Sequence, residues 1–83
     1  MNFYSSLVTL DLESNLLRDI KSLNQLTHLK VLKLARNMIR KIDGLDNMQN
    51  LEDLDLSSNR ISKLQNLERL TNLQKLNLSF NLI

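Results

Sequence analysis

Four asparagines recur at a constant interval of 22 residues, at Asn15, Asn37, Asn59 and Asn81. Each one ends a nine-residue phrase, and the four phrases are LVTLDLESN, LKVLKLARN, LEDLDLSSN and LQKLNLSFN. All four fit L-x-x-L-x-L-x-x-N, so we number the places of the repeat from its first leucine, and the asparagine stands at place 9. A period kept through three intervals without an insertion indicates a repeat architecture, in which similar units stack along one axis.

Each unit divides into two halves that differ in hydrophobic spacing. Leucines at places 4 and 6 flank a polar residue, and this alternation predicts a short strand. After the asparagine, apolar residues recur every third place, which predicts a 3₁₀ or short α-helical return. In the three units that include this half, the residues are Leu17, Ile20, Leu23 and Leu26, then Ile39, Ile42, Leu45 and Met48, then Ile61, Leu64, Leu67 and Leu70.

A single unit does not bury enough apolar surface to fold alone. It offers about seven aliphatic side chains, each worth about 1.5–3 kcal/mol when fully buried. Ordering the backbone costs about 1–2 kcal/mol for every residue of the unit, so neighbouring units must cover both of its sides. We therefore predict an α/β solenoid, a right-handed coil with a parallel sheet on its concave face and helical returns on its convex face.

The register sets the boundaries of the units. They are residues 7–28, 29–50, 51–72 and a partial unit at 73–83. Met1 and Tyr4 are in phase with Leu23 and Leu26, so residues 1–6 are predicted to be the tail of a preceding unit. Solenoids need terminal units with a polar outer side, and neither end of this sequence provides one. We therefore expect a segment of a longer solenoid. The alternative is that residues 1–6 form a minimal natural cap. Open leucine faces at both ends would allow end-to-end self-association.

Composition excludes several classes of function. The 11 basic and 9 acidic residues nearly balance at +2, which argues against a nucleic-acid or membrane partner. There is no cysteine for a disulfide or a thiolate metal site, and no export signal or membrane-length apolar run. His28 is the single histidine and Gly44 the single glycine, so we predict no metal site and no phosphate loop. We expect no catalytic residue, no cofactor and no small-molecule substrate, and an intracellular location.

The segment KIDGLDNMQNLEDLDLSSNRI, residues 41–61, contains an I-x-G-L return followed by L-x-x-L-x-L-S-x-N-x-I. It resembles the short 22-residue class of leucine-rich repeats, whose namesake is a regulatory subunit of type 1 protein phosphatase and which includes axonemal dynein light chains. The resemblance covers residues 1–83. It implies a non-catalytic scaffold or regulator that binds a protein on the concave face of the sheet. It also implies a cytoplasmic location and a role with a phosphatase or at the cilium, centrosome or cytoskeleton.

Bacterial internalins are an alternative within the same repeat length. Leu70-Thr71-Asn72-Leu73 resembles their L-T-N-L phrase. Their returns commonly carry proline in an S-P-L phrase, whereas this chain has Ser22, Gly44 and Asn66 at the equivalent place and no proline at all. The missing proline favours the phosphatase-regulator group.

If the chain follows the family, its partner contacts the side chains that lie between the inward leucines. Charges on neighbouring strands alternate at Asp11, Lys33 and Asp55, and Asp53 lies beside Lys75, so we expect ion pairs between strands. Such a face is either a self-paired, solvated surface or a charge-patterned interface. The candidate partner-binding residues are Asp11, Glu13, Val31, Lys33, Arg36, Asp53, Asp55, Lys75, Asn77 and Phe80.

The four asparagines at place 9 are predicted to be structural. An amide side chain both donates and accepts hydrogen bonds, so it can satisfy the backbone of adjacent coils at the end of each strand.

Two functions other than protein binding stay open for the chain. One is a structural spacer with no ligand on the concave face, and the other is an RNA-associated scaffold such as the spliceosomal member of the family.

Overall fold

The computed structural model describes residues 6–83, and its centre is a four-stranded parallel sheet. The strands are β1 (Thr9–Asp11), β2 (Val31–Lys33), β3 (Asp53–Asp55) and β4 (Lys75–Asn77), arranged in sequence order. Their register places Leu10, Leu32, Leu54 and Leu76 side by side. The predicted leucine-repeat solenoid is confirmed. The part of the prediction that concerns Met1 and Tyr4 lies outside the described residues.

Hydrogen bonding between neighbouring coils extends beyond the three-residue strands. The Leu34 N–H donates to the Asp55 carbonyl oxygen at 2.8 Å, and the Arg36 N–H donates to the Ser57 carbonyl oxygen at 3.0 Å. The equivalent bonds recur between the other coils at the same places. The backbone is therefore fixed from the strand through the corner that follows it.

The core is a stack of aliphatic layers between the sheet and the returns. On the two middle coils Leu32, Leu34, Leu54 and Leu56 are fully buried. Leu76, at the same place on the last strand, is 41% exposed. An inner side chain has a neighbour from the coil on each side, whereas one on β4 has a neighbour on one side only.

Leu64 is the clearest departure from the predicted core. The spacing of apolar residues assigned it to the buried layer, but it is 54% exposed, whereas Ile42 at the same place is 0% exposed. The sequence pattern is the same in both units. The difference arises because Ile42 is covered by the next return and Leu64 is not.

The returns use the predicted spacing of three but differ in helical content. The N–H of Leu26 donates to the Leu23 carbonyl oxygen, at 3.0 Å, and equivalent bonds join apolar residues in the second and third returns. Of the three returns, which all lie in the described part of the chain, the first forms a 3₁₀ helix, at Lys21–Gln25. The prediction of a helical return in every unit is therefore right for the first unit, and the other two have tight turns instead.

The residue at place 16 accounts for this difference. In the first unit it is Ser22, which lies inside the 3₁₀ helix. In the next two it is Gly44, with φ of 86°, and Asn66, with φ of 61°. A left-handed residue does not continue a right-handed 3₁₀ helix, so the helix cannot form there. The Asn66 side chain uses the turn to donate to the Ile42 carbonyl oxygen of the preceding coil, at 2.8 Å.

Gly44 also lets two coils approach closely. A Cβ on Gly44 would lie 2.7 Å from the Cα of Lys21 and 3.1 Å from the carbonyl oxygen of Ile20. Both neighbours are backbone atoms, which cannot rotate away as a flexible side chain can. The position therefore requires glycine for its space as well as for its φ angle.

We expect Gly44→Ala to lower the free energy of unfolding by about 1–3 kcal/mol, because it combines a left-handed φ with a backbone clash. Urea titration followed by circular dichroism measures this. The matched control is Ser22→Ala, at the same place of the first unit on an exposed helix, where a change within about 0.5 kcal/mol is expected. Equal stability of the two variants would contradict the close approach.

Candidate functional site

The asparagines of the repeat join each coil to the one before it. The Asn37 side-chain oxygen accepts the Leu17 N–H at 3.1 Å, and its amide nitrogen donates to the Leu12 carbonyl oxygen at 3.0 Å. The same nitrogen also bonds the Leu34 carbonyl oxygen of its own unit, at 3.0 Å. Asn37 therefore holds the end of one strand against the corner of the previous coil.

Asn59 and Asn81 make the same set of bonds one and two coils further on. Asn59 accepts the Ile39 N–H at 3.0 Å and donates to the Leu34 carbonyl oxygen at 3.0 Å. Asn81 accepts the Ile61 N–H at 2.9 Å. Among the described residues, the exposed side chain of Asn15 bonds carbonyl oxygens of its own unit.

The side chains at places 3 and 5 project from the sheet on the side opposite the leucine layers. Val31, Lys33, Asp53 and Asp55 on the middle strands are half-buried, while Asp11, Lys75 and Asn77 on the outer strands are exposed. A shallow hollow on this concave face brings together five of the ten candidate residues, namely Lys33, Asp53, Asp55, Lys75 and Asn77. Asp11 and Val31 lie on β1 and β2, and Glu13, Arg36 and Phe80 lie beyond the strand ends.

The ion pairs on this face differ from those expected. The register places Lys33 opposite Asp55 and Asp53 opposite Lys75. The Lys33 ammonium on β2 instead lies 3.2 Å from the carboxylate of Asp53, its diagonal neighbour on the adjacent strand β3. Within residues 6–83, the other ion pair is Lys21–Asp43 at 3.6 Å, away from this face.

Local hydrogen bonds explain why Asp55 does not pair with Lys33. The Asp55 carboxylate accepts the backbone N–H of Ser57 at 2.9 Å, which directs it along its own chain. Asp11 accepts the Glu13 N–H in the same way, at 3.0 Å. Asn77 accepts the Ser79 N–H at 3.0 Å. Lys33 has no acceptor atom in its side chain, so it is free to turn toward Asp53.

Sequence reasoning missed these turn-forming bonds at place 5, although a signal for them was present. Asp, Asp and Asn occupy place 5 in three of the four units, and these residues commonly accept a bond from the N–H two residues on. Asp11, Asp55 and Asn77 therefore stabilise the strand-to-corner turn as well as standing on the candidate face.

The corner residues at place 8 all have a left-handed backbone. Their φ angles are 58° at Ser14, 57° at Arg36, 54° at Ser58 and 58° at Phe80. Because the same conformation recurs in every unit, it belongs to the repeat and not to a special site. The aromatic side chain of Phe80 is 83% exposed.

Within residues 6–83, no group of three His, Cys, Asp or Glu side chains is arranged to hold a metal ion. His28 is exposed, and its Nδ1 atom lies 3.3 Å from the Thr27 hydroxyl. No helix in this part of the chain has the length and apolarity needed to cross a membrane.

The family model for leucine-rich repeats matches residues 5–61, and a model for two copies of the repeat matches residues 49–83. The chain belongs to the leucine-rich repeat family. Proteins of this family generally mediate protein–protein interactions, and they are typically non-enzymatic modules.

A solved structure supports the same fold. The chain is similar to an internalin (inlF) from Listeria monocytogenes, with 31% sequence identity and a TM-score of 0.90. The match covers 94% of this chain and 23% of the internalin chain, so the leucine-rich repeat segment spans under a quarter of that protein. A search of curated proteins gave no match.

We expect Asn59→Ala to lower the free energy of unfolding by about 2 kcal/mol or more, because each buried backbone group left unpaired costs about 1–3 kcal/mol. The groups affected are the Ile39 N–H and the Leu34 carbonyl oxygen. Urea titration measures the loss. Asn15→Ala is the control, since its bonds are local and exposed, and a loss below about 1 kcal/mol is expected there. Similar losses in both variants would contradict a bridging role.

The diagonal ion pair can be measured by double-mutant cycles on stability. Lys33→Ala with Asp53→Ala should show a coupling of about 0.5–1 kcal/mol, since the pair is partly buried. Lys75→Ala with Asp53→Ala should show a coupling near zero, although the register places these residues opposite each other. A larger coupling for Lys75 than for Lys33 would contradict the observed pairing.

Proposed function

We propose that this leucine-rich repeat chain is a non-catalytic module that binds a protein partner on the concave face of its sheet. The observation that carries the proposal is the four-strand register, which presents the side chains at places 3 and 5 as a fixed grid on one face. The shallow hollow across β2, β3 and β4 is the centre of that grid.

The preformed arrangement of this face supports binding. Asp11, Asp55 and Asn77 are held by bonds to their own backbone, and Lys33 is held by Asp53. Side chains already fixed before association lose little conformational freedom when a partner binds, which lowers the cost of forming the complex. The presence of both charge signs favours a polypeptide with complementary charges over a uniformly charged polymer.

Phe80 supports the same conclusion from the corner of the last strand. Its aromatic side chain is 83% exposed, so it contributes little to the core. Exposed aromatic side chains are enriched among the residues that dominate interface energies. We therefore place Phe80 among the contacts of the partner, together with Val31 in the middle of the face.

The area of the four strands is smaller than that of a standard protein–protein interface. Four strands, each three residues long and about 4.8 Å apart, cover about 190 Å², whereas a standard interface buries about 800 Å² on each partner. The proposed contact therefore extends beyond the strands to corner residues such as Arg36 and Phe80.

The cellular role that we propose rests on the resemblance of residues 41–61 to the phosphatase-regulator class. It is an intracellular, cytoplasmic scaffold or regulator, acting on a phosphatase or in a ciliary, centrosomal or cytoskeletal assembly. The second candidate is a structural spacer without a concave ligand, which is favoured by the self-pairing of Lys33 with Asp53.

We expect the 83-residue chain, immobilised and exposed to a cell extract, to capture a protein that Lys75→Glu/Phe80→Ala fails to capture. The purified partner should bind that variant at least about tenfold more weakly, since truncating a dominant contact costs about 2 kcal/mol or more. Asn24→Ala/Gln49→Ala, exposed on the returns, should bind as the unmodified chain does.

Circular dichroism confirms that all variants are folded, and nuclease treatment of the extract removes any capture through RNA. If both variants bind the captured protein equally well, the spacer function replaces the proposal.

A further inference from the structure

A second surface is formed where the chain leaves each asparagine corner. We call places 10–14 of the three units the basic flank, which comprises residues 16–20, 38–42 and 60–64. It holds five of the eleven basic residues of the chain and one of the nine acidic residues. Its formal net charge is therefore +4, and the other residues together carry −2. The near-neutral composition of the chain conceals this separation of charge.

The basic side chains are neighbours in space. One hollow on the flank is lined by Arg18, Lys21, Arg40 and Lys41 together with Asp19 and Asp43. The adjoining hollow is lined by Arg40, Arg60, Ser62 and Leu82. Arg40 belongs to both, so the two hollows form one continuous groove that crosses the coils.

The two acidic residues in the groove are already engaged. Asp43 lies 3.6 Å from the Lys21 ammonium. Asp19 accepts the backbone N–H of Lys21 at 2.9 Å. Among the described residues, neither ion pair involves Arg18, Arg40, Lys41 or Arg60, and all four are exposed. These four charges are available to an external partner.

Backbone bonds hold the groove rigid. The Met38 N–H donates to the Leu17 carbonyl oxygen at 2.8 Å, and the Arg60 N–H donates to the Ile39 carbonyl oxygen at 2.9 Å. Consecutive coils therefore keep the spacing of a parallel ladder at this place, about 4.7–4.9 Å. The backbones of Arg18 and Arg40, at the same place on adjacent coils, should therefore repeat at about that spacing.

Apolar side chains are exposed both on the flank and beside it. Leu16 is 80% exposed, and Leu82, which lines the second hollow, is 67% exposed. A partner that fits must therefore offer both carboxylates and apolar groups. None of the flank residues is aromatic, so the base-stacking contacts typical of single-stranded nucleic-acid sites have no platform here.

We propose that the basic flank binds an acidic amphipathic helix of another protein. On a helix, residues three or four apart lie about 5–6 Å from each other, close to the spacing between coils. On an extended strand, side chains on one face are about 6.6–6.8 Å apart, and the mismatch grows with each coil. Glutamates on one stripe would meet Arg18 and Arg40, which occupy the same place on adjacent coils, and leucines beside them would contact Leu16 and Leu82.

The probe that tests this is a capped synthetic peptide of about 18 residues, or five helical turns, with glutamates along one face and leucines beside them. Fluorescence anisotropy measures its affinity for the 83-residue chain. Arg18→Glu/Arg40→Glu should weaken binding at least about tenfold, which corresponds to about 1.4 kcal/mol. Lys30→Glu/Arg69→Glu changes the net charge equally at residues that line neither hollow of the groove, and should leave the affinity within about twofold.

A variant that gains affinity separates binding from effects on folding. Asp43→Asn removes a carboxylate from the groove and releases Lys21, so it should tighten binding about twofold, or about 0.4 kcal/mol. Damage to the fold would not produce a gain.

The proposal is overturned if the peptide does not bind the unmodified chain, or if both double variants weaken binding equally. It is also overturned if a matched peptide with glutamine in place of glutamate binds equally well. Tighter binding of oligouridylate, a single-stranded RNA probe, than of the peptide would overturn it as well. The last would assign the flank to RNA. Because the variants and the probe do not involve the concave face, the flank and the proposed function can fail independently.

Discussion

The hydrogen bonds of one amide side chain in each coil determine the geometry of the whole molecule. Asn37, Asn59 and Asn81 each accept an N–H and donate to a carbonyl oxygen of the preceding coil. A strand that ends at a sharp corner exposes backbone groups that no ladder satisfies, and a buried group without a partner is costly. Because the amide satisfies these groups on two coils at once, every strand ends at the same height. The constant register of the sheet, and of all side chains on it, follows from this.

A single repeat geometry gives the chain two surfaces with different electrostatics. On the concave face, charges of both signs are interspersed: Lys33 is paired with Asp53, and the carboxylates of Asp11 and Asp55 accept turn-forming N–H bonds. On the basic flank, positive charges face other positive charges across neighbouring coils, at Arg18 and Arg40 for example. Exposed like charges at close spacing destabilise a structure slightly, and the chain tolerates them on a part of the surface where the backbone is already fixed.

The periodicity of the sequence was enough to predict the strands, their parallel order and the place of each leucine, because stacking in register is the one way such units bury their apolar residues. It did not predict which leucines would be covered. Ile42 and Leu64 have the same place and the same pattern, and only contact with a neighbouring coil separates them. The ion-pair partner of Lys33 could not be predicted from the sequence either, since it depends on the turn-forming bond that directs Asp55 away.

The lack of proline in the returns argues against an internalin-like relative at the level of sequence. Gly44 and Asn66 nevertheless make left-handed turns at that place, and the fold matches an internalin closely.

The graded burial of the leucine layers has a consequence for how the chain opens. Each coil contacts its immediate neighbours, so the energy that holds it depends on how many neighbours it has. Leu54 is sealed between two coils, while Leu76 is open on one side. Amide protons near β4 should therefore exchange with solvent through local fraying, and those of β2 and β3 through much rarer events. In the 83-residue chain, the coil of β4 can therefore detach and reattach on its own, while β2 and β3 keep the register on which it packs again.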